Sequence, residues 1–249
     1  MKKLILFTFL TFSLFSIISC SNDDDSKNNE NNIVEKKLIE RVTYTEGYDS
    51  KLIEKFTYNN PIGFVSERSS LNSSTNVETI SKYEYSNNIV IEKRYRNNNL
   101  INTFIYSLKD NTYTLQSFNS DDLLVSTNID KIENKKIVSS KRYNNKGEII
   151  YDSSTEYKNN YLTQIETESI SNTKTTNTFL SNKIKNFNAP FAYIITNDQP
   201  LTKTSETFQN GNIKFVENRY EFDKDYYPTK VTLITSDGNN IITINTYNK

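Results

Sequence analysis

The chain has 249 residues, with 30 Lys plus Arg, 30 Asp plus Glu, no His, no Trp, one Cys and five Gly. These counts exclude histidine acid–base chemistry and His ligation, disulfides and thiolate metal sites, and a glycine-rich phosphate loop. The balanced charge has no basic stripe and excludes a nucleic-acid footprint.

Hydrophobic residues are 35% of the chain and the mean hydropathy is -0.68. Such low apolar content is found in disordered chains, but 17 Tyr and 14 Phe argue for folding. The polar excess is largely Asn, Ser and Thr, which suit turns and exposed strand faces. The composition therefore predicts a folded, thin protein with long sheet surfaces in water.

Residues 1–19 read as a lipoprotein signal peptide. Lys2 and Lys3 precede an apolar run from Leu4 to Ile18, and the small residue Ser19 and the sole cysteine, Cys20, follow. That run is shorter than the ~20 residues of a spanning helix and fits a signal core. Cys20 is the expected lipidation site, and two or more acyl chains on one residue give stable anchoring. After removal of the signal, 28 basic against 30 acidic residues leave a net charge near −2. Ser21, Asp23, Asp24 and Asp25 read as an acidic export signal interrupted by Asn22, and residues 20–32 as a flexible tether.

Residues 33–249 read as one repeat-built antiparallel β domain. An aromatic or apolar residue, a short Asn-rich polar run and an aliphatic pair recur at Tyr58, Tyr85, Tyr95, Phe118, Ile132, Tyr143, Tyr157, Phe208 and Phe222. Asn, Asp and Gly supply the positive φ that hairpin turns require. Strict alternation marks the flanks as strands. Tyr83 and Tyr85 share one face, as do Phe104 with Tyr106, Tyr113 with Leu115, Tyr220 with Phe222, and Val231 with Leu233. The fold class is all-β, an up-and-down meander of about 12–14 strands that curls. One face is expected to carry Tyr, Phe, Ile, Leu and Val, and the other Lys, Glu, Thr and Ser. Residues 183–201 break the pattern. They read as a long loop packing over the sheet, a short helix or an edge strand. Phe191, Tyr193 and Ile195 are the expected packing residues and partner site.

The stretch from Asn210 through Arg219-Tyr-Glu-Phe-Asp-Lys-Asp-Tyr-Tyr-Pro-Thr-Lys-Val resembles the end of an uncharacterised family of β-rich surface lipoproteins of the Bacteroidota. In that family a Tyr-x-Tyr/Phe-Asp strand leads into a Gly-x-Pro-x-Lys turn. Here Tyr226 stands where the family has its glycine. The repeats also resemble, in style, the Tyr-Asp repeats of Rhs-type proteins. The resemblance implies a β-rich fold and an outer-membrane, cell-surface location, and implies no activity.

Three constellations have residue types that could carry chemistry. Asp223, Asp225 and Asp237 offer only the first two ligands of a calcium loop and read as solvated turns, as do Asp121 and Asp122. Glu166 and Glu168 lie about 7 Å apart on one strand face, a permissive spacing for glycoside chemistry, but the alternating Glu and Thr read as an exposed face. Rows of Tyr either stack on a ligand or form the sheet's buried face. The resulting expectation is a non-enzymatic outer-membrane lipoprotein without cofactor or metal, held by the lipid on Cys20 and binding glycan or protein. The alternatives are an assembly component of an envelope complex and a carboxylate-based hydrolase.

Overall fold

The computed structural model describes residues 36–59, 63–134, 136–159, 163–179, 201–208 and 210–248. The signal, Cys20 and the acidic run, and the Phe191, Tyr193 and Ile195 segment lie outside the described residues. The barrel belongs to a compact unit spanning Lys36–Lys249.

The described chain forms sixteen antiparallel strands in sequence order, closed into one barrel. They are β1 (Leu38–Thr45), β2 (Lys51–Thr57), β3 (Glu67–Asn72), β4 (Val77–Ser86), β5 (Ile89–Arg96) and β6 (Asn99–Lys109). Next come β7 (Thr112–Asn119), β8 (Leu124–Glu133), β9 (Lys136–Asn144), β10 (Ile149–Lys158) and β11 (Thr163–Glu168). The last are β12 (Thr173–Phe179), β13 (Leu201–Thr207), β14 (Ile213–Phe222), β15 (Pro228–Thr235) and β16 (Asn240–Tyr247). The curling meander is thus a closed one, with more strands than the 12–14 read from the repeats. Closure is made by β1 on β16, with Val42 opposite Ile244 and Thr43 opposite Thr243.

The turns follow from their residues. Among the described residues, ten of the eleven non-glycine residues at positive φ are Asn or Asp. Asn97 with Asn98, and Asp110 with Asn111, are both left-handed and make the two-residue turns whose twist matches a hairpin. The eleventh is Tyr226, at φ 62, in the position where the resembling family has glycine. A side chain there is strained by roughly 1–2 kcal/mol.

The aromatics beside the turns have a specific task. Tyr58 donates its hydroxyl to the carbonyl of Leu38 (2.8 Å), Tyr85 to Val65 (2.8 Å), Tyr157 to Ile137 (2.9 Å), Tyr220 to Leu201 (2.7 Å) and Tyr247 to Pro228 (2.9 Å). Each bond reaches back 19 or 20 residues, the length of one hairpin. Each runs from near the end of an even strand to near the start of the odd strand before it, so it pins a hairpin at its open end. Burial pushes the phenols of Tyr58, Tyr157, Tyr220 and Tyr247 up to about 12.

All five latches lie on one rim, where the chain enters at Lys36; we call it the entry rim. A core of Val65, Tyr83, Val90, Tyr106, Tyr113 and Ile132 lines the inner wall beside it. Tyr83 with Tyr85, and Phe104 with Tyr106, share the inner face as their alternation requires. The chain's entry is stapled by Lys36, which bonds Asp223 (2.8 Å) and Asp225 (2.7 Å), while Tyr227 is buried edge-on against Tyr247.

The expected division into an apolar and a polar face is corrected. Glu54, Glu92, Asp130, Glu168, Ser81, Ser153 and Asn245 are buried on the same inner face as the tyrosines. Ile89 and Ile244 stand on the outside. The reason is size. Sixteen strands about 4.8 Å apart and tilted about 40° give a backbone diameter of roughly 30 Å, too wide for side chains to fill. The backbone of each strand approaches only the neighbours to which it is hydrogen-bonded. The inner wall therefore faces a lumen and tolerates polar groups that partner one another.

Candidate functional site

The inner wall from β15 round to β6 carries a chain of polar contacts that crosses the closure seam. The Asn245 amide donates to the carbonyl of Pro228 (2.8 Å) and accepts from Arg41 Nε (3.2 Å). Arg41 reaches Glu54 (3.5 Å), Glu54 faces Arg68 (3.7 Å), and Arg68 faces Glu92 (3.6 Å). Glu92 then accepts from Arg94 (2.6 Å), Ser81 (2.9 Å) and Tyr106 (2.8 Å).

Register places these groups side by side. Arg41 pairs with Glu54, Arg68 with Ser81, and Ser81 with Arg94. Arg94 also lies over the Phe104 ring at 4.2 Å. Burial pushes the Glu92 carboxyl up, but the bonds from Arg94, Tyr106 and Ser81 outweigh it and hold the group below its usual value. Burial and the Glu92 charge push the Tyr106 phenol up. Arg68 is held less well: its Nε is buried without a hydrogen-bond partner.

The opposite wall is acidic and built the same way. Asp130 accepts from Asn128 (2.7 Å) and from Ser140, and burial pushes its carboxyl up despite both bonds. Glu166 accepts from Tyr151 and from Ser153 (2.8 Å). Thr204 bonds Asn177 (2.7 Å), which bonds Gln164 (3.4 Å).

Two recesses open on the inner wall at the far rim, opposite the entry rim. One, of about 330 Å³, lies between β15, β16 and β1 and is lined by Thr45, Tyr48, Thr235, Asp237, Asn239 and Ile241. The other, of about 370 Å³, lies on β2 to β5 and is lined by Leu52, Ser70, Asn72, Thr75, Val77, Thr79 and Arg96. Thr45 of the first lies on β1 and Leu52 of the second on the adjacent β2, so the two recesses meet on paired strands.

The residues weighed from sequence are placed as follows. Asp223 and Asp225 neutralise Lys36, and Asp223 caps its own turn by accepting from the backbone of Asp225 and Tyr227. Asp237 accepts from Thr235 and Asn239 in its turn. Among the described residues there is no group of three acidic, His or Cys ligands that could hold a metal. Asp121 and Asp122 are exposed turn residues.

Glu166 and Glu168 do share a face, but it is the inner one, which corrects their reading as an exposed strand surface. They do not act as a facing pair. Glu166 is held by Tyr151 and Ser153, whereas Glu168 turns away to cap the backbone of Ile170 (2.8 Å) and Ser171 (2.6 Å). The row of Arg41, Arg68, Arg94 and Arg96 was not singled out from sequence. Its only signal is charge in phase with buried aromatics, as in Glu92-x-Arg94-x-Arg96.

No protein-family model and no curated protein matches this sequence. A solved structure shares its fold. A porin-like protein from Bacteroides uniformis superposes with a TM-score of 0.60 at 10% identity, covering 85% of this chain and 98% of that one. A porin-like protein from Bacteroides vulgatus gives 0.42 at 7% identity, covering 86% and 99%. The chain is therefore an all-β, up-and-down barrel of the architecture found in the Bacteroides uniformis protein.

Proposed function

We propose that this chain is a lipid-anchored outer-membrane protein whose barrel stands in water and binds a glycan or protein at its far rim, without catalysis. The observation that carries the binding reading is the position of exposed apolar residues. Of fourteen large hydrophobics exposed among the described residues, ten lie at the far rim, including Tyr48, Leu52, Leu123, Ile150, Ile213 and Phe215. Apolar residues exposed together at one end of a fold are a mark of an interaction surface. Each even strand begins there, and the Asn-rich turns at Phe118, Tyr143 and Phe208 place Leu123, Ile149, Ile150 and Ile213 on that rim.

The outer wall supports a barrel in water rather than in lipid. Its strands carry the ion pairs Glu84–Lys93, Lys141–Asp152, Glu156–Lys158, Glu217–Arg219 and Glu221–Lys230. A charged residue on a lipid-facing wall costs up to about 2–4 kcal/mol at the bilayer midplane. Strands β2, β3, β11, β12 and β13 have only six or seven residues, where a spanning strand needs about 9–11.

Membrane fractionation of Cys20→Ala tests the anchor: lipid labelling is lost and the protein leaves the membrane. Replacing Asp23, Asp24 and Asp25 with Ala keeps lipidation and reduces protease accessibility on whole cells. Ion conductance across planar bilayers by the purified chain would contradict a barrel standing in water. The assembly reading draws on the same apolar crown, and predicts that a defined envelope protein is cross-linked at Ile150 or Ile213 in cells.

A further inference from the structure

We propose that the two far-rim recesses together form one subsite for an acidic oligosaccharide, with Arg96 taking a sugar carboxylate and Tyr48 stacking on a ring. This rests on the binding reading above and names its ligand class.

Arg96 lines the recess on β2 to β5, and no ion pair or hydrogen bond engages its guanidinium among the described residues. The wall around it has an excess of cations. Facing the lumen on β1 to β5 are Arg41, Arg68, Arg94 and Arg96 against Glu54 and Glu92, four against two. Both carboxylates are already engaged by the other three arginines. The buried Nε of Arg68 has no acceptor, in keeping with that excess of cations. A guanidinium in that setting recognises a planar carboxylate through two parallel bonds.

The rest of the lining is what a sugar requires. Ser70, Asn72, Thr79 and Thr45 offer hydroxyl and amide groups that both donate and accept. Leu52 and Ile241 give small apolar patches for the axial C–H face of a pyranose. Tyr48 is 66% exposed in the neighbouring recess and presents an open ring face. Asp237 and Asn239, bonded to each other, line the same recess as Tyr48. Each recess alone is at the small end of ligand sites, which run from about 300 to 1,000 Å³. From the β1–β2 turn to β5 is three to four strand spacings, about 15–19 Å, or roughly three sugar rings.

The test is titration calorimetry on the full chain in detergent with trimers of galacturonate, glucuronate and mannuronate, and with neutral maltotriose and cellotriose. At least one uronate trimer binds, at least tenfold more tightly than either neutral trimer. Arg96→Gln weakens that binding at least tenfold, Arg96→Lys recovers part of it, and Tyr48→Ala weakens it three- to tenfold. Arg96 and Tyr48 are exposed, and unchanged melting of the variants separates lost binding from lost folding. No uronate binding at millimolar concentration, equal binding of the neutral trimers, or binding indifferent to Arg96→Gln overturns the proposal. None of these results bears on the anchor, which the Cys20→Ala fractionation decides.

Discussion

Glu92→Gln examines whether the polar wall holds the barrel together. The Glu92 side chain is 3% exposed and takes Arg94 at 2.6 Å, Ser81, Tyr106 and the more distant Arg68. Glutamine keeps the shape and one acceptor but turns an NH₂ group toward two guanidiniums. Removing one partner of a fully buried pair costs about 3–5 kcal/mol. Arg68 and Arg94 are 31% and 34% exposed to the lumen, so water offsets part of the loss and we expect about 2–4 kcal/mol. For a domain of this size that lowers Tm by roughly 5–15 °C. The pH dependence gives a second readout. The folded carboxyl sits below its ordinary value of 4.5, so its contribution is present above that value and is lost as pH falls through the folded one. The gap between wild type and variant should therefore close as pH drops below about 4.5. Changing Glu92→Gln together with Arg94→Met should recover part of the loss, because the nearer of the two guanidiniums is then gone and Arg68 keeps Glu54. Equal melting of wild type and Glu92→Gln at pH 7 would refute the reasoning.

Tyr220→Phe removes one hairpin latch and leaves the Leu201 carbonyl unpaired; about 1 kcal/mol and ~2–4 °C in Tm should be lost in a thermal melt. Tyr226→Gly relieves a left-handed residue whose side chain is exposed, and should gain about 0.5–1 kcal/mol in chemical denaturation. No gain would mean that the Tyr226 ring makes a compensating contact. Asp130→Asn tests the acidic wall with the opposite sign. Burial raises the Asp130 carboxyl, so its contribution is fully present below the unfolded value and lost as pH rises through the folded one. Stability of the wild type relative to the variant should fall as pH rises from about 4.

The turns and strands were legible because they are local. An Asn at positive φ and a strand of alternating residues need no information beyond a dozen neighbours, and positions such as Asn88, Asn97 and Asn98 adopt the expected conformation. The pairing of Tyr83 with Tyr85 on one face, opposite Lys82 and Glu84, followed from the same parity. The tyrosine latches were present in the sequence as aromatics beside turns, but their acceptor is a backbone carbonyl, which has no letter in a sequence.

What only the tertiary structure decided is closure and everything that depends on it. Whether a meander ends as an open sheet or a barrel is set by twist and stagger accumulated over sixteen strands, and no single repeat carries that sum. Closure brings Arg41 onto Asn245, 204 residues away, and so completes the polar chain on the inner wall. It also decides which face is inside. In a narrow barrel Glu54, Glu92 and Glu166 would have to point outward, as an alternating polar pattern suggests. In one roughly 30 Å across, the inside is a water-accessible wall, and Glu54, Glu92 and Glu166 can share it with tyrosines because each of the three finds a partner there.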